Sequence, residues 1–347
     1  MKAVYYEQFK GAVEIKELAD PQVGDQSVVV KVAASGLCLS DWHGWMGHDP
    51  DIVLPHVPGH ELAGTIEEVG KGISKWKCGD RVTVPFVGGC GRCEYCAEGN
   101  PQVCNHQFQP GFTAWGSFAQ YVAIDYAEQN LVRLPNAFGF AEAASLGCRF
   151  ITAYRGVVSQ GALQAGQSIS VFGCGGVGLS AIQIAKALGA VVYAVDITAE
   201  KCDLARRMGA DFTINASVDD PVRTIREYSN GGVHLSIDAL GHKDTCLQAI
   251  DSLRKRGRHV QLGLMTENHA NTEIPMAKLI AHELEILGSH GMPAANYPEM
   301  FQLIQEKGID LSRMIGKRVS LSQVPDLLPN LNTSTQAGVT VIDRFNE

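Results

Sequence analysis

The sequence predicts an α/β protein that combines a doubly wound parallel sheet with a discontinuous, mainly antiparallel β domain. Short segments that alternate apolar and polar residues fill the first 150 positions, a pattern typical of half-buried antiparallel strands. From about 150 to 290, strand patterns alternate with helix patterns, as in a parallel sheet with crossover helices. A last apolar segment at 339–343 is placed to rejoin the first domain. We therefore predict one domain from 1–150 and 293–347, and a second from 151–292.

Length and composition indicate a globular protein with two cores. A chain of 347 residues exceeds the usual size of a single hydrophobic core. Its 45% hydrophobic and 19% charged residues argue against disorder, and no apolar run reaches the roughly 18 residues that span a bilayer. The chain opens on a strand pattern and not on a signal sequence, so we expect a cytoplasmic location. A net charge of −8 without a basic block argues against nucleic acid or a membrane as a partner.

The elements of the first domain follow from its local patterns. Between two strand-like segments, residues 40–46 suit a short helix capped by Ser40 or Asp41, because small polar side chains favour helix N-termini. We expect strands at 1–6, 28–33, 60–69, 115–123 and 130–135, and a longer helix at 140–146.

The second domain repeats a strand and helix unit. Its candidate strands are 168–172, 191–195, 212–214, 235–238, 259–262 and 284–287. Helical stretches such as 179–188 and 200–208 lie between them. This alternation predicts parallel strands whose carboxyl ends share one edge of the sheet.

Residues 38–61 carry the groups of a catalytic zinc site. Cys38 and His60 supply a thiolate and an imidazole, and Cys148 is the best candidate for the third ligand of a site with an open fourth position. Ser40 and His43 supply a hydroxyl and an imidazole that can carry away a substrate proton. A lone cysteine with a distant histidine more often packs in a core, and His43, beside two tryptophans, can also be a packed histidine. The other motifs of the chain favour the metal site.

The cysteines predict a second metal site. Ten cysteines in such a chain indicate metal binding or catalysis in a reducing compartment and not a disulfide framework. Four of them, spaced by two, two and seven residues, lie in a Gly- and Asn-containing loop within 88–106. This spacing fits a closed tetrahedral zinc site that holds a lobe together. The predicted ligands are Cys90, Cys93, Cys96 and Cys104.

A glycine-rich turn follows the first strand of the second domain and opens a helix. In that position a GxGxxG sequence predicts a Rossmann-type dinucleotide site, since the glycines allow a tight turn, close approach of the pyrophosphate and packing of helix on strand. The turn residues expected to contact the dinucleotide are Gly173, Gly175, Gly176, Val177 and Gly178.

An acidic residue at the end of the next strand predicts the cofactor. Asp196 stands 18 residues after Gly178, where its carboxylate can accept hydrogen bonds from the adenosine ribose and repel a 2′-phosphate. Ile197 offers no cation to such a phosphate, so NAD is favoured over NADP. The alternative is that Asp196 caps the next helix. Lys201 can reach the same ribose or stand on a solvated helix face.

With these motifs in this order, the whole chain resembles the zinc-dependent medium-chain alcohol dehydrogenases. The most specific motifs are residues 59–64, the four-cysteine loop and residues 148–154. The resemblance implies a GroES-like first domain and a catalytic zinc on the three ligands above. It also implies Glu61 beside that zinc as an occasional ligand, Asp41 as the carboxylate that orients His60, and Thr152 near the nicotinamide.

The resemblance further implies an activity. The chain is expected to interconvert an alcohol and an aldehyde or ketone by hydride transfer to or from NAD(H), with two zinc ions per chain. Ser40 would take the alcohol proton and pass it, through a cofactor ribose hydroxyl, to His43. The alternatives are a polyol or amino-alcohol dehydrogenase of the same superfamily and a non-catalytic, zinc-stabilised NAD-binding protein. The family also implies a homodimer or a homotetramer.

Two positions depart from the family pattern. Arg149 follows the ligand cysteine, where small residues are common. Near the C-terminus the family often carries an arginine that binds the pyrophosphate, and this chain has Val339 there. The departure at Val339 leaves the cofactor anion to backbone amides or another basic group, and it is expected to weaken NAD binding or to ease the release of NAD.

Overall fold

Two large sheets, one mixed and one parallel, organise the part of the chain that this computed structural model describes, residues 1–333 and 338–346 without the side chain of Glu267. The described residues group into two units. Unit 1 comprises Met1–Ile151, Gly291–Phe301 and Leu311–Glu347, and unit 2 comprises Thr152–His290 and Gln302–Asp310. The predicted α/β fold class is confirmed. The domain boundaries at 150/151 and 292/293 stay a prediction, and residues 302–310 pack in unit 2, not in unit 1.

The strands follow one another along the chain with few long gaps. They are β1 (Lys2–Tyr5), β2 (Glu14–Glu17), β3 (Val28–Leu37), β4 (Glu61–Val69), β5 (Arg81–Thr83), β6 (Tyr121–Ile124), β7 (Val132–Arg133), β8 (Ser168–Phe172), β9 (Val191–Asp196), β10 (Phe212–Asn215), β11 (Val233–Asp238), β12 (Leu253–Gln261), β13 (Glu285–Gly288), β14 (Ile315–Ser320) and β15 (Val339–Arg344).

The helices are short in unit 1 and longer in unit 2. They are α1 (Leu39–Trp45), α2 (Glu94–Ala97), α3 (Ala127–Asn130), α4 (Phe140–Ala144), α5 (Ile151–Tyr154), α6 (Gly176–Ala187), α7 (Ala199–Arg207), α8 (Pro221–Tyr228), α9 (Lys243–Asp251), α10 (Met276–His282), α11 (Tyr297–Lys307) and α12 (Val324–Leu327). The segments Leu146–Phe150 and Arg155–Gln160 are π-helical. Short 3₁₀ turns lie at Pro101–Val103, Glu267–His269, Ala294–Asn296, Leu311–Met314, Leu321–Gln323 and Leu328–Thr333. Within the described ranges, every helix is too short or too polar to cross a membrane.

Unit 1 is built on a seven-stranded sheet in the order β14-β15-β3-β4-β5-β7, with β6 paired to β3. Its pairs are antiparallel except β14 with β15, which are parallel. The predicted returning strand is observed as β15, which pairs with β3. Apolar side chains of the central strands, such as Val30 and Leu62, are fully buried in the core of the unit. The core therefore fixes the register of β3 against β4.

Unit 2 is a six-stranded, wholly parallel sheet in the order β10-β9-β8-β11-β12-β13. The order reverses beside β8, which is the arrangement of a doubly wound sheet with its ligand crevice at the carboxyl ends of the strands. All six predicted strands are present. Strand β12 begins at Leu253, earlier than the predicted 259. Its first half was missed because Arg254, Lys255 and Arg256 are charged and exposed, so this part of the strand has no apolar pattern.

The segment predicted as a strand at 115–123 is a strand only from Tyr121 onward. Its first part instead packs against the loop before β4. Gly116 N donates to the carbonyl oxygen of Val57 (2.7 Å), and Ser117 N donates to that of Gly59 (2.9 Å). A Cβ atom at Gly116 would lie 2.2 Å from the oxygen of Gly59, so only glycine fits. These contacts hold the backbone on which His60 is mounted.

A buried histidine of unit 1 makes the folding stability of the protein depend on pH. His56 is 1% exposed, and its Nε2 donates to the carbonyl oxygen of Gly111 (2.9 Å), which requires a protonated Nε2 in the neutral ring. Burial lowers the pKa of His56 to about 4. The folded pKa lies below the unfolded value of about 6.5, so the histidine costs stability as pH falls from about 6.5 to 4.

We expect His56→Gln to weaken this acid sensitivity. Between pH 7.5 and pH 5, the wild-type free energy of unfolding should fall by about 2 kcal/mol more than that of the variant. Urea denaturation of both proteins at the two pH values measures this difference. An equal fall in both proteins would show that His56 is not the sensitive group.

Candidate functional site

Four side chains from three parts of unit 1 meet in one buried cluster. Cys38, His60, Glu61 and Cys148 each offer one ligand atom, these atoms all lie within 4.8 Å of one another, and all four residues are buried. The proposed catalytic zinc ligands are therefore brought together, with the carboxylate of Glu61 beside them. No other group of this kind occurs in the described part of the chain apart from the four-cysteine loop.

Strand pairing and one helical turn produce this cluster. Cys38 follows the end of β3, and Glu61 begins the neighbouring β4, where it pairs with Gly36. Cys148 lies in the π-helical turn Leu146–Phe150, a rare element that often marks functional sites. Gly147 packs closely on β4 in that turn, since a Cβ atom there would lie 3.2 Å from the Cα of Glu61. The adjoining ends of β3 and β4 and the π-helical turn thus hold the ligand residues at fixed positions.

Asp41 accepts hydrogen bonds from both the segment that carries Cys38 and the segment that carries His60. Its Oδ1 accepts hydrogen bonds from His60 Nδ1 (2.7 Å) and Gly59 N (3.2 Å), and its Oδ2 accepts one from Cys38 N (2.9 Å). The last bond is half of a capping box for α1, whose N-cap is Cys38. The prediction that Ser40 or Asp41 caps this helix was therefore wrong. Asp41 instead reaches back from the third helical position.

The donor set of this cluster fits zinc. His60 Nε2 is buried and has no hydrogen-bond partner among residues 1–333 and 338–346, because Asp41 engages the other ring nitrogen. An orphaned imidazole nitrogen facing two thiols is the arrangement of a Cys₂His zinc site. Hydrogen bonding with Cys148 holds the pKa of Cys38 well below its ordinary value. The cluster therefore already stabilises a thiolate, the form that binds a metal.

The charges around the His60 imidazole also favour a cation at this site. Burial opposes protonation of His60, but the carboxylate of Asp41 and the sulfur of Cys38 raise the pKa of His60 well above its ordinary value. The hydrogen bond to Cys38 and burial raise the pKa of Cys148. The negative charge of Asp41 and of the Cys38 sulfur thus favours a positive charge at this place, which a divalent cation would supply.

We expect Asp41→Asn to weaken metal binding. All three groups that contact the carboxylate are donors, and an amide has one oxygen to accept from them and a nitrogen that repels them. The zinc affinity of this site should fall by about 10- to 100-fold, as is usual for the loss of a carboxylate behind a ligating histidine. Competition with a chelator measures the affinity. Asp51→Asn, at an exposed carboxylate nearby, is the matched control and should bind zinc as the wild type does.

Glu61 is engaged by the arginine that departs from the family pattern. Arg149 Nε donates to Glu61 Oε1 (2.9 Å), its Nη2 donates to Oε2, and its backbone N donates to Oε1 (3.2 Å). Both side chains are buried. Burial raises the pKa of Glu61, opposed by the charge of Arg149. The sequence indicated that Arg149 was unusual, but not which group it contacts.

The predicted proton relay lies on α1. Ser40 Oγ is 3.7 Å from Cys38 Sγ, and Ser40 and His43 are three residues apart on the same helical face. His43 Nδ1 lies 2.8 Å from the Nδ1 of His48, which the sequence gave no reason to single out. Both histidines also contact the ring of Trp42 edge-on. Their roles as relay members stay a prediction.

Two phenylalanines pack around the metal-site imidazole. The ring centroid of Phe112 lies 5.1 Å from that of His60, and Phe86 stands edge-on to it at 6.2 Å. Phe112 was missed, because nothing in its local sequence links it to the zinc ligands. The aromatic side chains make one wall of the site apolar, which strengthens electrostatic interactions inside it.

The four-cysteine loop forms a second thiol cluster. The sulfurs of Cys90, Cys93, Cys96 and Cys104 all lie within 4.8 Å of one another. Cys104 Sγ accepts hydrogen bonds from the backbone N of Cys90 (3.3 Å) and of His106 (3.2 Å). Hydrogen bonds from backbone N–H groups, that of Cys96 first, lower the pKa of Cys93 to about 6. The donor set is that of a closed structural zinc site.

An asparagine joins this lobe to the rest of unit 1. Asn130 Oδ1 accepts from Gly89 N (2.9 Å), and its Nδ2 donates to the carbonyl oxygens of Gly89 (3.2 Å) and Asp125 (3.2 Å). Asn130 is 2% exposed, so these bonds are shielded from water. The sequence gave no sign of this contact, which depends on residues distant in the chain.

The glycine-rich turn of unit 2 has the shape of a dinucleotide cradle. Gly173 follows β8 with φ +92°, a backbone conformation that favours glycine. A Cβ atom at Gly178 would lie 1.8 Å from the oxygen of Gly173, whereas one at Gly175 would meet open space. Helix α6 begins at Gly176 without a side-chain cap, so its first N–H groups are left for an anion. Gly176 and Val177 are half-buried in this first turn.

Asp196 ends β9 beside this turn. Its Oδ2 accepts from Cys174 N (2.8 Å), and its Oδ1 accepts from the backbone N of Ile197 (2.8 Å) and Thr198 (3.2 Å). The N-cap of α7 is Thr198, so the alternative that Asp196 caps that helix was wrong. Lys201 is half-buried in the first turn of α7. Asp196 Oδ2 retains acceptor capacity for a ribose hydroxyl.

The last predicted cofactor residue, Thr152, belongs to unit 2. It lies in α5 and is 7% exposed. Its proposed contact with the nicotinamide stays a prediction.

Two family models match the chain. The alcohol dehydrogenase GroES-like domain matches residues 24–136, and the zinc-binding dehydrogenase matches residues 176–306. An alcohol dehydrogenase of Geobacillus stearothermophilus is 37% identical over 293 residues, which are 83% of this chain and 84% of that protein. The NAD-dependent alcohol dehydrogenase of Saccharolobus solfataricus is 32% identical over 99% of both chains. The solved structure of the alcohol dehydrogenase TADH from Thermus sp. ATN1 superposes with a TM-score of 0.90 at 29% identity, covering 99% of this chain and 100% of that one.

Proposed function

The chain belongs to the zinc-binding dehydrogenases of the medium-chain dehydrogenase/reductase family, and on this premise we propose that it is an NAD-dependent alcohol dehydrogenase. It interconverts an alcohol and an aldehyde or ketone. The observation that carries the proposal is the meeting of Cys38, His60 and Cys148 around one point. A polyol dehydrogenase is less favoured, because the third ligand is a cysteine and not a carboxylate. A non-catalytic NAD-binding protein has no use for three ligands with an open fourth position.

Two zinc ions per chain are proposed. Cys38, His60 and Cys148 would hold the catalytic ion, and the four-cysteine loop would hold the structural one. When bound to the three-ligand set, zinc supplies a Lewis acid that lowers the pKa of an oxygen ligand towards neutrality. Asp41 fixes the tautomer of His60 so that Nε2 faces this ion.

Ser40 and His43 carry the substrate proton in this proposal. The Ser40 hydroxyl, beside Cys38, is close enough to the ligand set to accept a proton from the substrate hydroxyl. His43 lies on the same face of α1 and would pass the proton outward. The half-buried positions of both residues suit a path from the site to water.

Unit 2 supports NAD as the cofactor. Bound at the glycine-rich turn, NAD supplies the hydride acceptor. The turn offers free N–H groups at the start of α6, and Asp196 presents a carboxylate to the adenosine ribose. That carboxylate would repel a 2′-phosphate, so NAD is preferred to NADP. Lys201 and Thr152 are proposed as further contacts with the dinucleotide.

Location and assembly follow from the same reasoning. All ten cysteines are free thiols, which fits a reducing, cytoplasmic location. The partner is a small alcohol or aldehyde, and assembly as a homodimer or homotetramer through the sheet edges of unit 2 is proposed from the family alone.

An activity screen tests the proposed function. A panel of alcohols and aldehydes is assayed with NAD(H) and with NADP(H), and the zinc content is measured before and after chelation. We expect turnover with NAD(H), two zinc ions per chain, and loss of turnover when the ion held by Cys38, His60 and Cys148 is removed. One zinc ion per chain without turnover on any substrate would favour the non-catalytic alternative.

A further inference from the structure

The buried pair of Arg149 and Glu61 lies against the ligand set without belonging to the predicted zinc ligands. Arg149 contacts both oxygens of the Glu61 carboxylate, and its backbone N adds a third bond. A fork of two parallel N–H donors on one carboxylate is the most directional ion pair that side chains form. Glu61 is fully buried, and the Arg149 side chain is 8% exposed. Water therefore does not compete for either charge.

Glu61 is also placed to act as a ligand itself. One of its carboxylate oxygens lies within 4.8 Å of the ligand atoms of Cys38, His60 and Cys148. A carboxylate is an ordinary zinc ligand, and a site with four protein ligands has no open position for a substrate. The function proposed above requires that position to stay open. Something in the protein must therefore keep Glu61 from filling it.

The surroundings of the pair leave the carboxylate little room to move. A Cβ atom at Gly36 would lie 2.1 Å from Glu61 Oε2 and 2.8 Å from Arg149 Nη2, so a residue without a side chain admits the pair. Gly147 packs on the Cα of Glu61 from the turn that carries Arg149. Arg149 is the cation that the described structure pairs with Glu61.

We propose that Arg149 is a positioning residue that clamps the Glu61 carboxylate away from the catalytic metal and so keeps the fourth ligand position free for substrate. This inference rests on the proposed zinc site. The arginine holds both oxygens, and rotation of the carboxylate towards the metal would break two charge-assisted hydrogen bonds inside a buried pair. Arg149, which departs from the family pattern, thus keeps the fourth ligand position from being occupied by Glu61.

Cobalt substitution tests the clamp without an activity assay. Co²⁺ replaces zinc, and the part of its visible absorption that responds to imidazole reports the site with an open ligand position. Imidazole is then titrated as a neutral probe of the open position in the wild type and in Arg149→Met, which keeps much of the side-chain volume but has no donors. We expect the absorption bands of the variant to shift and imidazole to bind at least tenfold more weakly, because Glu61 now occupies the position.

Removing the carboxylate separates the possible explanations. In the double variant Arg149→Met/Glu61→Gln, imidazole binding should return to within about threefold of the wild type, since an amide is a poor zinc ligand. In Glu61→Gln alone, imidazole binding should stay within threefold of the wild type. Tighter binding in Glu61→Gln would show that Glu61 is already a ligand in the wild type, which would overturn the clamp.

Arg133→Met is the matched control for loss of an arginine. Arg133 forms a forked pair with Asp80 in the same unit, at 2.8 and 3.0 Å, and neither residue belongs to a thiol cluster. It should leave the cobalt spectrum and imidazole affinity unchanged. An unaltered spectrum and affinity in Arg149→Met would contradict the clamp while leaving the metal site intact. Absence of cobalt–thiolate bands that respond to imidazole in the wild type would instead contradict the proposed function.

Discussion

Cys148→Ala is expected to abolish turnover and to leave the binding of NAD nearly unchanged. The variant loses one of three ligands of the proposed catalytic zinc, and the orphaned Nε2 of His60 and the thiolate of Cys38 cannot hold the ion alone. We expect kcat to fall by at least about a thousandfold, about 4 kcal/mol of transition-state stabilisation. The dissociation constant for NAD should change by less than about tenfold, or 1.4 kcal/mol.

The measurement pairs steady-state kinetics with calorimetric titration of NAD. Cys246→Ala is the control, since Cys246 is a buried thiol that belongs to neither cluster. It should retain turnover. Equal loss of cofactor affinity and turnover in Cys148→Ala would contradict the separate roles that we assign to the zinc ligands and to unit 2.

Cys104→Ser is expected to have the largest effect on stability. Its sulfur lies 3.5 Å from those of Cys90 and Cys93 and accepts two backbone N–H groups, so its loss removes a proposed ligand that also holds the backbone of the lobe. Binding of structural zinc contributes on the order of 10 kcal/mol in small zinc domains, and its loss here should lower the unfolding temperature by about 10 °C or more.

Zinc content and differential scanning calorimetry report this outcome. The variant should contain one zinc ion fewer per chain, and limited proteolysis should cut first within residues 88–106. Cys78→Ser replaces an exposed thiol of the same unit that lies outside both clusters, and it should keep the wild-type unfolding temperature. A stable variant with full zinc content would show that the lobe needs no fourth thiolate.

Much of the fold and most of the ligand residues follow from the sequence alone. The parallel sheet could be predicted because short segments rich in apolar residues alternate with helix patterns, and β8 has the bounds that its pattern predicts. The proposed structural zinc ligands could be identified because few uses other than a metal need cysteines at the spacing of Cys90, Cys93, Cys96 and Cys104. The roles of Gly173 and Gly178 could be predicted because a tight turn and a close approach of helix and strand leave no room for a side chain.

Other features were decided only by the tertiary structure. The pairing of Arg149 with Glu61, the hold of Asn130 on the thiol lobe and the packing of Phe112 on His60 join residues far apart in the chain. Local sequence patterns indicate the secondary structure of a segment. They do not indicate which distant side chain will pair with a buried charge or form a buried hydrogen bond. Buried polar groups must find partners, and the fold, not the neighbouring sequence, determines where those partners lie.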